Sequence, residues 1–318
     1  MRIVTTLPSA TEIVCALGLE PVGVSHECDF PPAVRDRPSV TASRIDADAS
    51  SGAIDEQVLE AVSGTDDGVG DGVYDVAVDT LDALDPDLVV TQGMCDVCAV
   101  DEVVVERPLE EITADPEVLT TDPHSIADVL ADIERVGEAT GVPERARDAV
   151  TALEERIDAV RTRTVDLVPG ERPRVAIFDW TDPVMIAGHW TAELVEWAGG
   201  RYGLADAGER SRPREWDEIR AYDPEVVIVA PCGFDLAQTA ANLADLTDRE
   251  GWDDLTAVRE GRVWALDGNQ YLNRPGPRLV DTLEAIGPIV QPDRFPNPPD
   301  ASVAVPLEVL DRGLEVDV

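Results

Sequence analysis

The sequence predicts an α/β protein built from two Rossmann-like lobes joined by a single long helix. Three observations carry this reading. Short β-branched runs alternate with apolar residues at helical spacing, one phrase occurs twice, and an uninterrupted amphipathic stretch lies between the two copies. The repeated phrase is LDALDPDLVVTQ at 81–92 and IRAYDPEVVIVAPC at 219–232, in each of which an Asp-Pro break precedes a buried-type strand.

Residues 2–6 (RIVTT) form the first expected strand, ended by Leu7-Pro8-Ser9, and residues 10–17 carry Ile13, Val14 and Leu17 at helical spacing until Gly18 stops them. Residues 21–25 read as a second strand running into His26-Glu27-Cys28-Asp29, and 81–92 as a helix end, a break and a third strand. After an N-terminal lobe of residues 1–140, a connecting helix over 143–166 shows Val150, Leu153, Ile157 and Val160 on one face. At 1.5 Å per residue a helix of this length is roughly 30 Å long, a spacer able to hold two lobes apart around a cleft. The C-terminal lobe, 172–290, opens with a strand at 174–178, repeats the Asp-Pro strand, adds a strand at 262–266 and closes on a helix with Leu279, Leu283 and Ile286. Residues 64–72 read as an inserted loop, and the proline-rich segment 291–318 as a tail draped on the surface.

Composition narrows the function. Among 318 residues, 65 acidic side chains face 25 basic ones, a net charge of −40, while 44% of residues are hydrophobic, enough for ordinary cores. The charge therefore sits on the surface, as in proteins adapted to concentrated salt, and it argues against nucleic-acid and anionic-membrane partners. Every basic residue is arginine. Without lysine, Schiff-base chemistry, pyridoxal phosphate attachment and a Walker-type phosphate loop are excluded. No apolar run approaches the ~18 residues of a membrane span, so no membrane insertion is expected. The first residues hold Pro8, Ser9, Thr11 and Glu12 where a secretory core would be apolar, which makes a cytoplasmic location the expectation and the extracellular face the alternative.

In open α/β sheets ligands bind outside the carboxyl ends of the strands, and the chemically unusual residues gather after the expected strands. Ser9, His26, Glu27 and Gln92 of the first lobe are binding candidates, as are Trp180, His189, Trp190, Arg212, Phe234, Tyr271, Asn273 and Arg274 of the second. Trp180, Trp190 and Tyr271 offer flat stacking surface, and Arg212 and Arg274 suit an anionic or amide-bearing rim. Cys15 reads as a core filler on the first helix. Cys95 and Cys98 form a C-x-x-C pair whose spacing fits either a redox couple or zinc. With Cys28 and Cys232 in the same cleft they would make a site for zinc or iron.

The segments LPSATEIVCALGLEPVGVSHECDFPP, TQGMCDVCAV, AGHWTAELVEWAGG, PCGFD and DGNQYLNRPGPRLVD resemble the cobalamin-binding branch of the iron-chelate and cobalamin substrate-binding proteins of ABC importers, over about residues 1–290. The resemblance implies two lobes on a rigid helix with little hinge motion. It also implies a corrinoid (cobalamin or a precursor) or a related metal chelate held between the lobes, and an importer permease as partner if the chain is exported. Binding needs no nucleophile or general base, and no catalytic constellation is visible. The other reading is a cytoplasmic metal- or thiol-dependent enzyme that reuses this fold around Cys28, Cys95, Cys98 and Cys232.

Overall fold

The computed structural model describes residues 1–62, 72–93, 108, 109 and 111–311. The chain forms two compact units, Met1–Pro123 with Ala127–Thr151, and His124–Ile126 with Ala152–Val318. One continuous helix begins in the first unit and ends in the second.

In the first unit, β1 (Ile3–Thr5) leads into α1 (Pro8–Ala16), which starts on a proline that is pre-set for helix and needs no N–H there. A hairpin of β2 (Thr41–Ser43) and β3 (Tyr74–Val76) is separated in sequence by α2 (Ser51–Val62). Then come α3 (Val78–Leu84), β4 (Leu88–Gln92) and β5 (Glu117–Thr121). β1, β4 and β5 form a parallel sheet in the order β1-β4-β5, and β4 is buried along its whole length, which is why it reads LVVTQ without alternation. The strand expected over 21–25 is reduced to two isolated bridges, Val4 with Gly23 and Val24 with Ser39. α4 (Ile126–Ala139) buries Val129, Ile133 and Val136, and the connecting helix α5 (Pro143–Thr164) buries Leu153, Ile157 and Val160. The inserted loop at 64–72 lies, except for Gly72, outside the described residues.

The second unit holds a larger sheet. β6 (Arg174–Thr181) turns back as β7 (Val184–Ile186), followed by α6 (Thr191–Trp197), β8 (Arg201–Tyr202), β9 (Arg212–Pro213), α7 (Trp216–Tyr222) and β10 (Val226–Val229). α8 (Leu236–Ala241), β11 (Val263–Leu266), α9 (Leu279–Val290), β12 (Ala304–Pro306) and α10 (Leu307–Asp311) complete it. The sheet order is β12-β11-β10-β6-β7-β9, with β8 also on β6. β6, β10 and β11 run parallel. The segment expected as a draped tail instead closes one edge of this sheet, because β12 pairs antiparallel with β11 and buries Val303, Ala304 and Val305.

The sequence repeat is a structural repeat. α3 and α7 both end on an aspartate in the left-handed region, Asp85 at φ 44° and Asp223 at φ 48°, a conformation that asparagine and aspartate tolerate best after glycine. A proline then bars further helix, and the buried strand starts two residues later. Arg2 Nε donates to the Asp85 carbonyl at 3.1 Å, and Arg174 Nε to the Asp223 carbonyl at 2.7 Å. The backbone N–H of Arg2 is held by Asp87 and that of Arg174 by Glu225. The first strand of each unit is thus tied at its start to the helix end before the neighbouring strand, which fixes the parallel register.

Candidate functional site

In the second unit, the loops that follow β6, β10 and β11 meet at one end of the sheet. Asp179 and Trp180 sit where the β6–β7 register shifts, and the Asp179 carbonyl accepts the Cys232 N–H at 2.9 Å. The Trp180 ring lies 5.2 Å from Phe234. Asn269 donates its N–H to the Phe234 carbonyl at 3.0 Å, and Asn273 Nδ2 reaches the carbonyls of Ala230 and Gly268, both at 3.1 Å. This close docking requires glycine at 268, since a Cβ there would stand 2.6 Å from the Ala230 oxygen and nearer still to that of Pro231. Asp267 caps the one-turn π-helix over Gly268–Leu272 by accepting the Gln270 N–H at 2.6 Å. Burial pushes the Asp267 carboxyl up to about 6, against that bond.

Cations collect on this turn. Arg274 and Arg278 are 5% and 6% exposed; Arg274 donates to Asn269 Oδ1 at 3.1 Å, Arg278 to Gln270 Oε1 at 3.3 Å, and the Arg278 guanidinium lies 4.9 Å from the centre of the half-buried Tyr271 ring. Asp267 and Asp281 lie close to the same turn, so the two guanidiniums balance local carboxylates.

The strand-end rule misplaces His189 and Trp190. β7 runs antiparallel to β6, so these two residues follow an antiparallel strand and not the carboxyl end of a parallel one. Trp190 still contributes through its indole, whose N–H donates to the Leu272 carbonyl at 2.9 Å, but it is 3% exposed and Trp180 is 9% exposed. Their rings pack within the unit, and Tyr271 is the more open of the three expected stacking residues. His189, at φ 52°, lies between the rings of His124 (5.4 Å) and Trp190 (5.4 Å). Arg212 is exposed on β9, an edge strand that also runs antiparallel to its neighbour.

Beneath these loops lies a strand-end group that was not counted among the binding candidates. Asp179 is buried, one oxygen accepts the Ser211 hydroxyl, and the same hydroxyl accepts the Gly188 N–H at 3.0 Å. Its other oxygen has no partner among the described residues, and burial raises the carboxyl to about 6. The signal was present in FDWTDP, where an aspartate interrupts an otherwise apolar strand.

The first unit presents a smaller constellation. Ser9 Oγ meets Gln92 Oε1 at 3.4 Å, both buried. His26 is exposed, its Nδ1 is 2.9 Å from Thr41 Oγ1, and its ring meets Tyr74 edge-on at 5.5 Å, while the Tyr74 hydroxyl donates to Glu27 at 3.1 Å. Thr41 and Tyr74 come from the β2–β3 hairpin, too far along the chain for spacing to have found them. Cys28 is 6% exposed, packs with Val24, Val34 and Cys15, and sits 3.0 Å from Thr11 Oγ1. Burial, with Glu12 and Glu20 nearby, pushes the Cys15 thiol up to about 11, consistent with an inert filler. Cys95 and Cys98 lie outside the described residues. Among the described residues no group of three or more His, Cys, Asp or Glu side chains is placed to hold a metal ion.

Two α/β units on one helix, with polar and aromatic loops at the carboxyl ends of parallel strands, have the form of a binding protein of the substrate-binding class. Residues 3–270 match the periplasmic binding protein family, to which the chain belongs. It is 24% identical, over 92% of its length and 81% of the other's, to an uncharacterized ABC transporter substrate-binding lipoprotein of Bacillus subtilis. Its fold matches that of a periplasmic heme binding protein from Pseudomonas aeruginosa (TM-score 0.67, 23% identity, 93% of this chain and 94% of the other). It also matches the periplasmic vitamin B12 binding protein of Vibrio cholerae (TM-score 0.63, 20% identity, 91% and 96%).

These findings overturn the cytoplasmic expectation. The family is one of periplasmic binding proteins and the curated relative is a lipoprotein, so such chains work outside the cytoplasmic membrane, where a binding protein meets its ligand. The polar residues at the start of the chain do not decide the compartment. No helix among the described residues is long and apolar enough to cross a membrane.

Proposed function

We propose that this protein captures a large, planar metal chelate outside the cytoplasmic membrane, a corrinoid such as cobalamin or its precursor before others, and presents it to the permease of an ABC importer. The observation that carries the reading is the turn after β11, where Arg278 stacks on Tyr271 beside Arg274 in a chain of net charge −40. The more open Tyr271 face suits a flat ring system with carboxylate or amide groups at its edge, and the two buried guanidiniums fix the turn that presents it. Corrinoids and porphyrins have this form. Trp180, Phe234 and Asn273 support the turn from below. The heme and vitamin B12 binders among the structural neighbours support the same ligand class.

Absorbance titration of the purified chain with aquocobalamin, ferric protoporphyrin IX and a ferric trihydroxamate tests it. One-to-one binding of the corrinoid at micromolar concentration or below, equivalent to about −8 kcal/mol or better, is expected. Preference for the porphyrin would keep the ligand class and replace the corrinoid; binding of the trihydroxamate alone, or of none, would refute the proposal.

A further inference from the structure

We infer that the groove between α9 and the C-terminal extension receives an edge arm of the chelate, and that its carboxylates select amide arms over carboxylate arms. The inference rests on the planar-chelate reading and deepens it, from the class of ligand to the side groups that the protein accepts.

The groove is built by the second unit alone. It holds about 400 Å³ between α9 and residues 295–303, within the range of small-molecule pockets. Tyr271 is among its walls, so the ring offered by the strand-end turn also borders this space. Every lining residue lies after position 270, where the match to the family ends. The extension is anchored on both sides of the groove. A Cβ at Gly287 would stand 2.6 Å from the Phe295 ring, so α9 seats that ring against bare backbone, and the Arg163 guanidinium lies 5.5 Å from the ring centre. Further on, the Val303 carbonyl accepts the Asp267 N–H at 2.9 Å, which stitches the extension to the start of the strand-end turn. Between these anchors Asp300 turns the chain by accepting the Ser302 N–H at 2.9 Å and the Ser302 hydroxyl at 2.8 Å.

The charge in the groove is one-sided. Asp281, Glu284 and Asp300 bring three carboxylates, and no basic residue is among the described lining residues. Arg156 binds two of them: its Nε donates to Glu284 Oε1 at 3.0 Å, and its other nitrogens reach Glu284 Oε2 and Asp281. One guanidinium thus serves two carboxylates, and a net negative charge remains. The Arg278 guanidinium is held over the Tyr271 ring, donates to Gln270 and is 6% exposed, so it does not offer itself to a ligand's carboxylate. The rings of Tyr271, Phe295 and four prolines supply apolar walls. A primary amide can donate its N–H to a carboxylate oxygen in a charge-assisted bond, whereas an ionised carboxylate has no proton to give and meets like charge. Corrinoids carry primary amides around the macrocycle, and protoporphyrin carries carboxylates, so this groove favours the corrinoid.

A matched set of probes isolates the arm: aquocobalamin and its derivatives in which a single peripheral amide is hydrolysed to the carboxylic acid. Calorimetric titration of the wild-type chain at low salt should show at least one derivative bound about tenfold more weakly than aquocobalamin, the effect of one close like-charge contact near a protein surface. The ratio should shrink as salt screens that contact. Glu284→Gln with Asp300→Asn keeps an acceptor oxygen at each position, leaves Asp281 to Arg156, and should narrow the ratio to about twofold or less. Asn297→Asp, which adds a carboxylate to the exposed side of the groove, should widen it. Asp253→Asn with Asp254→Asn removes the same charge from exposed positions outside the groove and should leave the ratio unchanged. Equal binding of all the probes by the wild-type chain, or an undiminished ratio in the groove double variant, would overturn the inference and leave the chelate reading standing. An equal loss of the ratio in the Asp253 and Asp254 variant would overturn it in favour of net charge. Failure of the wild-type chain to bind aquocobalamin or any derivative would remove the corrinoid reading beneath it.

Discussion

Replacing Asp179 by asparagine should flatten the pH dependence of the second unit's stability between about pH 4 and 6. Burial raises this carboxyl from 3.8 to about 6, so the folded unit holds a proton that the unfolded chain has already released over that window. Stability then falls as pH rises through the window and stays low above it, because unfolding relieves a buried charge. At 1.36 kcal/mol per pH unit, the penalty at neutral pH is about 3 kcal/mol. Asp267, raised to about 6 in the same unit, contributes a parallel slope that the substitution leaves in place. The carboxyls held low by their partners, Asp166, Asp223 and Asp300, act oppositely, giving stability that is lost as pH falls through their folded values, below this window. Asparagine keeps an oxygen for the Ser211 hydroxyl, so the network survives while the ionisation is removed. All six tryptophans lie between residues 180 and 264, so urea unfolding followed by tryptophan fluorescence reports the second unit alone. The wild-type chain should lose about 2 kcal/mol more than Asp179→Asn between pH 4 and 6.5. Parallel curves for the two proteins would refute the buried-carboxyl assignment.

Two substitutions test the packing beneath the site. Gly268→Ala should destabilise the second unit by about 4 kcal/mol, from overpacking against backbone and from loss of the Asn269 and Asn273 bonds to the β10 loop. Gly170→Ala, where a Cβ meets nothing within 4 Å, should change stability by less than about 0.5 kcal/mol, and similar losses for both would contradict the close-approach argument. Trp190→Ala should cost about 3–5 kcal/mol, as for other buried aromatics, and Trp190→Phe about 1–2 kcal/mol for the orphaned Leu272 carbonyl. A Trp190→Ala chain with wild-type stability but lost ligand affinity would reverse this and return the residue to a direct contact.

Local chemistry explains what could be read from the sequence. The Asp-Pro repeat was legible because helix stop, left-handed aspartate, proline and buried strand lie within a few consecutive residues, and α5 because its apolar residues recur at three and four along one face. The loops after β6, β10 and β11 were legible because parallel strands all deliver their carboxyl ends to one edge. The hairpin was not, since Thr181-Asp182-Pro183 reads equally as the end of a strand and as a turn back, and that choice reverses where His189 and Arg212 lie. β12 was hidden by the prolines around it, although Ala304-Val305-Pro306 needs only three residues to close an edge. His26 was found as a candidate, but the residues that orient it, Thr41 and Tyr74, are brought to it only by the fold.

Hydrogen exchange of the full chain, with and without aquocobalamin, tests the central claim most directly, because it locates the ligand on the chain. Saturable protection of the segments at 230–234 and 267–274 is the predicted result. Saturable binding with protection elsewhere, and none at 267–274, would contradict the assignment of the strand-end turn as the binding surface.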